Sequence, residues 1–67
     1  MIPMMKLYVV ENQRERYREK FRFASQARRA MEKHGVDYCK VLYLVDGKWS
    51  LVGEMGQNGE RRAMERQ

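Results

Sequence analysis

Cysteine and histidine each occur once in these 67 residues, as Cys39 and His34. A single cysteine excludes an internal disulfide framework and reads as a reduced, intracellular thiol. Two potential ligands, separated by four residues that include Gly35 and Asp37, do not complete a metal site. No run of 18 apolar residues is present, so no segment is expected to cross a membrane. The opening Met1 to Lys6 is too short and too little apolar for a signal peptide, and the cytoplasm is the expected location. There is no phosphate-binding glycine loop, helix-turn-helix pattern, set of zinc ligands or aromatic RNA-binding motif. A nucleophilic Cys39 would need an oriented base that the sequence does not supply. The chain is also too short for two cores or for a walled substrate pocket. No enzyme, cofactor or metal is expected.

What the chain does have is charge. Fourteen Lys and Arg against nine Asp and Glu give a net charge of +5, with a hydrophobic share of 43% that still permits a core. Mean hydropathy is −0.83. The excess is local. Between Arg14 and Lys33 there are eight bases and three acids, and elsewhere six of each. The whole net charge therefore belongs to one 20-residue stretch.

Residues 5–10, Met-Lys-Leu-Tyr-Val-Val, are β-branched and aromatic and read as a strand. Residues 38–45 read as a second. Asp46-Gly47 and the run 48–52 follow. An Asp-Gly pair between two such runs is a strong hairpin signal, because both turn positions take positive φ. A two-residue loop pairs Val45 with Lys48, Leu44 with Trp49, Tyr43 with Ser50, Leu42 with Leu51 and Val41 with Val52. Leu42, Leu44, Trp49 and Leu51 then share one face, expected to be the core. Val41, Tyr43 and Lys48 share the outer face.

Residues 14–34 support two readings. Tyr17, Phe21, Ala24 and Met31 recur at helical spacing, Asn12 with Glu15 fits a capping box, and Gly35 is a stop. That predicts one helix over 13–34. The same segment alternates, with Arg16, Arg18, Lys20 and Arg22 on one side and Tyr17, Glu19, Phe21 and Phe23 on the other. That predicts a strand, then a helix over 26–34 capped by Ser25 and burying Ala27, Ala30 and Met31. A 22-residue helix would be roughly 33 Å long. It would overshoot strands of about 23 Å. The fold class is α+β either way: ββαββ on the strand reading, βαββ on the long-helix reading. Residues 1–55 form the domain, and 56–67 a flexible charged tail.

On the strand reading, Arg16, Arg18, Lys20 and Arg22 form one outward row, because Tyr17, Phe21 and Phe23 are drawn to the core. Tyr8 and Val10 join it if Leu7 and Val9 point inward, and Tyr43 and Lys48 join it from the hairpin. Arg28 and Arg29 extend it onto the helix. Arginines beside aromatics suit a phosphate backbone with stacked bases, or an acidic protein surface. The same charge on an edge strand also serves simply to block aggregation.

In size and general pattern the chain resembles the small accessory proteins of bacteriophages, such as anti-CRISPR proteins and host-takeover inhibitors. The likeness includes no shared motif. The function expected is that of a non-enzymatic binding protein. Its partner would be nucleic acid or a protein that handles nucleic acid, and its action would be inhibition of the phage type. The alternative is an assembly module that homodimerises through its sheet.

Overall fold

A computed structural model describes residues 5–62. The chain runs β1 (Lys6–Asn12), a 3-10 turn (Gln13–Glu15), β2 (Tyr17–Phe21), α1 (Ala24–His34), β3 (Cys39–Val45), β4 (Lys48–Gly56) and β5 (Gly59–Arg62). The strands form one antiparallel sheet in the order β2-β1-β3-β4-β5, with β2 and β5 at its edges. The class is α+β, as expected. The order of elements is ββαβββ rather than ββαββ, because part of the segment read as tail, 59–62, pairs with β4. Residues 63–67 of that segment lie outside the described residues.

No long helix forms over 13–34. Asn12 does cap a turn, accepting the Glu15 N–H at Oδ1 over 3.3 Å, but the turn is a single 3-10 one. Arg16 ends it in the left-handed region at φ 54°, which reverses the chain into β2. The period-2 pattern then prevails, because it lets Tyr17 and Phe21 reach the core together. Phe23 does not reach it and is 65% exposed. It occupies the N-cap of α1 without a side-chain bond, so the helix begins before Ser25, the expected cap.

The helix ends as Gly35 predicts. Gly35 takes φ 65° and donates to the Glu32 carbonyl, while Val36 N–H returns to the Met31 carbonyl over 2.9 Å. These two bonds make a Schellman stop, for which glycine is the least strained residue. Ala27, Ala30 and Met31 are buried, as expected, and the two alanines let the helix lie close to the sheet.

The helix covers the other face of the sheet from the one anticipated. The core gathers Tyr8, Val10, Ala27, Ala30, Met31, Cys39, Val41 and Met55, with Tyr17, Phe21, Tyr43 and Val52 against it. Tyr8 and Val10 therefore point toward the helix, and Leu7 and Val9 away from it. The hairpin register holds from Val45–Lys48 to Leu42–Leu51, and then a bulge intervenes so that Val41 opposes Gly53 rather than Val52. The extra residue, Val52, turns toward the core.

The sheet is also curled. Lys6 and Tyr8 on β1 both reach Glu60 on β5, with Lys6 Nζ 3.0 Å and Tyr8 Oη 3.0 Å from Oε2. Between those strands lie β3 and β4. In a flat sheet three strand spacings come to about 14 Å. The contact closes only because the helix side is concave. No helix among the described residues is long and apolar enough to cross a membrane.

Candidate functional site

The eight residues singled out from the sequence do not converge on one surface. Arg18 and Lys20 project from β2 on the convex side, away from the helix, as their alternation with Tyr17 and Phe21 requires. Arg16 is the left-handed residue just before β2, and Arg22 follows β2 in the link to α1; both are exposed. Arg29 lies on α1. Arg28 is also on α1 but half-buried, its carbonyl accepting from Gln57. Lys48 begins β4 beside the hairpin turn and is exposed.

Tyr43 is misplaced by the outward reading. It shares its face with Val41 and the core, half-buried, and Lys6 Nζ sits 5.3 Å from its ring centroid. Burial and the Glu60 hydrogen bond push the Tyr8 hydroxyl above its ordinary value, and Glu60 holds the Lys6 ammonium above its own. This cluster clasps the curl together on the concave side.

The convex face divides along its length. Its charged half contains Arg18 opposite Glu11, then the cross-strand row Lys20–Val9–Lys40–Glu54. Val9 is only 5% exposed although no helix covers it. Its two neighbours are lysines, whose alkyl stems can lie along apolar surface while their ammonium groups stay in water. Its apolar half contains Leu7–Leu42–Leu51 and Leu44–Trp49. Leu51 is 57% exposed and Trp49 39%.

The second candidate surface lies where the edge of β2 meets α1. The helix packs over β1 and β2 rather than across the whole sheet. A groove of about 630 Å³ runs between strand and helix, lined by Tyr17, Glu19, Lys20 and Phe21 on the strand side and by Gln26, Arg29, Ala30, Lys33 and His34 on the helix side. Gln26, Arg29, Ala30 and Lys33 follow the i, i+3, i+4, i+7 spacing of one helix stripe. A second concavity, about 500 Å³, lies at the far end of the molecule between Asp37-Tyr38 and the β4–β5 turn.

Two acids of this flank, Glu15 and Glu19, are hydrogen-bonded within the fold. Glu19 accepts the Tyr17 hydroxyl at 2.9 Å, and Glu15 meets His34 Nδ1 at 2.7 Å. Burial, with Glu19 as a lesser cause, pushes the Tyr17 hydroxyl up to about 12. The ion pairs among the described residues are Lys6–Glu60 and His34–Glu15. Arg14, Arg16, Arg18, Lys20, Arg22, Arg29 and Lys33 around the β2–α1 flank form no ion pair among the described residues, although Glu11 lies opposite Arg18.

Set against known protein families, curated proteins and solved structures, the chain matches none.

Among the described residues, no cluster of three or more His, Cys, Asp and Glu could hold a metal ion. Cys39 is buried, and burial raises its thiol above the ordinary value, which suppresses the thiolate. Sequence reasoning missed Lys33 and Lys40. Lys33 was legible in the helical stripe from Gln26. Lys40 becomes visible only once the β1–β3 register sets it across Val9 from Lys20.

Proposed function

We propose that this chain is a non-enzymatic binding protein that engages an acidic partner through the β2–α1 flank. The partner is a nucleic acid or the acidic surface of a protein that handles nucleic acid. The observation that supports this reading is the set of seven cations around β2 and the facing stripe of α1 that form no ion pair among the described residues. The excess of bases over acids on this flank gives it a positive potential, which steers anionic partners toward it. Arginine predominates in the set, and its planar fork suits phosphate and carboxylate alike. A phage-type inhibitor would work in this way, by covering a surface on which nucleic acid otherwise lies.

The test is a salt series with a labelled single-stranded oligonucleotide and, in parallel, a pull-down from host lysate with and without nuclease. Neutralising about four phosphates makes affinity fall roughly 10²-fold between 50 and 200 mM salt. Replacing Arg18, Lys20 and Arg29 with Glu abolishes binding while the circular dichroism spectrum stays unchanged. Binding that ignores both salt and these substitutions overturns the reading.

The open apolar half of the convex face favours a second reading, an assembly module. Leu7, Leu42, Leu44, Trp49 and Leu51 form a contiguous patch rimmed by charge, the usual mark of a protein interface. Two copies packed face to face would cover it. Light scattering decides: a clean monomer at high concentration removes this reading.

A further inference from the structure

We propose that the β2–α1 groove takes an extended, acidic segment of a partner protein, which adds to the free edge of β2 as a sixth strand. The inference rests on the binding reading above and narrows its partner from acidic surfaces in general to one acidic strand.

Three features of the groove point to that occupant. The first is the edge itself. β2 pairs with β1 on one side only, so every second residue from Tyr17 to Phe21 turns its N–H and C=O outward. An extended peptide satisfies such a row by main-chain hydrogen bonds, whatever its side chains. The second is the opposite wall. A helix runs alongside the edge and presents a stripe toward it, so the space is a trough suited to a single chain rather than an open sheet face. The third is the lining. Phe21 and Ala30 give the groove an apolar component, and Lys20, Arg29 and Lys33, which form no ion pair among the described residues, outnumber Glu19, the one acid in the lining, whose carboxylate is bonded to Tyr17. Alternate side chains of an added strand point to opposite faces of the sheet. Those on the helix side would meet Arg29 and Lys33, and those on the convex side would meet Arg18 and Lys20. Acidic residues facing Arg18, Lys20, Arg29 and Lys33 are therefore favoured, with a neutral residue opposite Glu19 and small or β-branched residues against Phe21 and Ala30.

The same groove suits a nucleic acid less well. Single strands are held mainly by bases stacking on free aromatic faces. Here one face of Tyr17 is covered by His34, and its hydroxyl is bonded to Glu19. Trp49 lies on the convex face, across the sheet from α1.

The experiment is selection from a displayed library of random decapeptides against the full chain, followed by measurement on the enriched peptides. Acidic, proline-poor peptides should be enriched. On binding, amide exchange of residues 17–21 should slow, and R29E/K33E should lose about tenfold or more in affinity. Both substituted side chains are on the exposed stripe of α1, so circular dichroism should show an unchanged fold. As a second variant, A30E should bar the groove by bulk and charge without touching the cations. Three outcomes overturn the proposal: no enrichment, enrichment of neutral or basic peptides, or acidic peptides that bind R29E/K33E and A30E as well as they bind the parent. If peptides fail but a single-stranded oligonucleotide binds with steep salt dependence, the strand proposal falls and the binding reading stands. If both fail, both fall.

Discussion

The imidazole of His34 lies flat on the ring of Tyr17, with centroids 3.6 Å apart and planes 13° from parallel. Its Nδ1 also meets Glu15 at 2.7 Å, so the last residue of α1 is held by both the 3-10 turn and β2. This contact sets one end of the β2–α1 groove. Replacing His34 with Ala should cost about 1 kcal/mol of stability, from the lost ring contact and hydrogen bond. In urea denaturation a midpoint unchanged from the parent would show that the stack contributes nothing.

Asn12 is a smaller residue with a larger expected effect. Its Nδ2 donates to the His34 carbonyl at 2.6 Å, and its Oδ1 accepts from the Glu15 N–H. One side chain thus serves a helix C-terminus and a turn N-terminus. Asn12→Ala should cost about 1–2 kcal/mol. Asn12→Asp keeps the turn cap but cannot donate to the His34 carbonyl, and should fall between the two. Equal stability of N12A and the parent in urea would refute this account.

Which face is the core can be tested directly. Met31 is fully buried and Leu51 is 57% exposed. Met31→Ala should cost about 2–5 kcal/mol through lost transfer energy and a cavity. Leu51→Ala should stay within about 0.5 kcal/mol, as surface substitutions do. Thermal denaturation of the pair reads the difference, and the reverse order would place the helix on the other side of the sheet.

Alkaline titration should destabilise the fold through its tyrosines. The Tyr17 hydroxyl ionises near 10 when free and at about 12 in the fold. The native state therefore holds the proton more tightly, and the resulting stability is complete below pH 10 and lost as pH rises from 10 to 12. Tyr8 and Lys6 shift in the same upward direction. Tyr17→Phe should flatten the fall without removing it. Identical slopes for parent and Y17F, measured by urea denaturation across that window, would argue against the shift.

The thiol of Cys39 should be silent in the native protein. It is buried, and burial raises its ionisation range. Reaction with a disulfide reagent at pH 8 should be about a hundredfold slower than in urea, since it waits on local opening. A native rate equal to the unfolded one would mean that the β3 end of the core is open.

How far the sequence was legible follows from which interactions are local. The hairpin at Asp46-Gly47 and the stop at Gly35 are set by residues within a few positions, and both appear as read. β2 was visible in its alternation, but the left-handed turn at Arg16 that starts it leaves no compositional trace. The identity of the core face was not legible. Alternation separates Leu42, Leu44, Trp49 and Leu51 from Val41 and Tyr43, yet both sets are apolar, and the larger set lost. A helix whose buried residues include Ala27, Ala30 and Met31 chose the face with tyrosines and valines. The cationic groove lay beyond reach for the same reason, since it needs both the strand order and the side on which α1 packs.

The clasp from Lys6 and Tyr8 to Glu60 makes the two borders of the sheet unequal. β5 is drawn round toward β1 over the concave side, while β2 remains at the free border. Endless growth of stacked strands requires a donor border and an acceptor border on every copy. A molecule whose β5 border is bent out of line with its β2 border does not present two matched borders for such growth. On the strand-addition proposal, this curvature would act as a valency limit, favouring one added strand over continued growth. Loosening that curl, as Glu60→Ala would, should show first as fibre formation on storage rather than as a lower melting temperature.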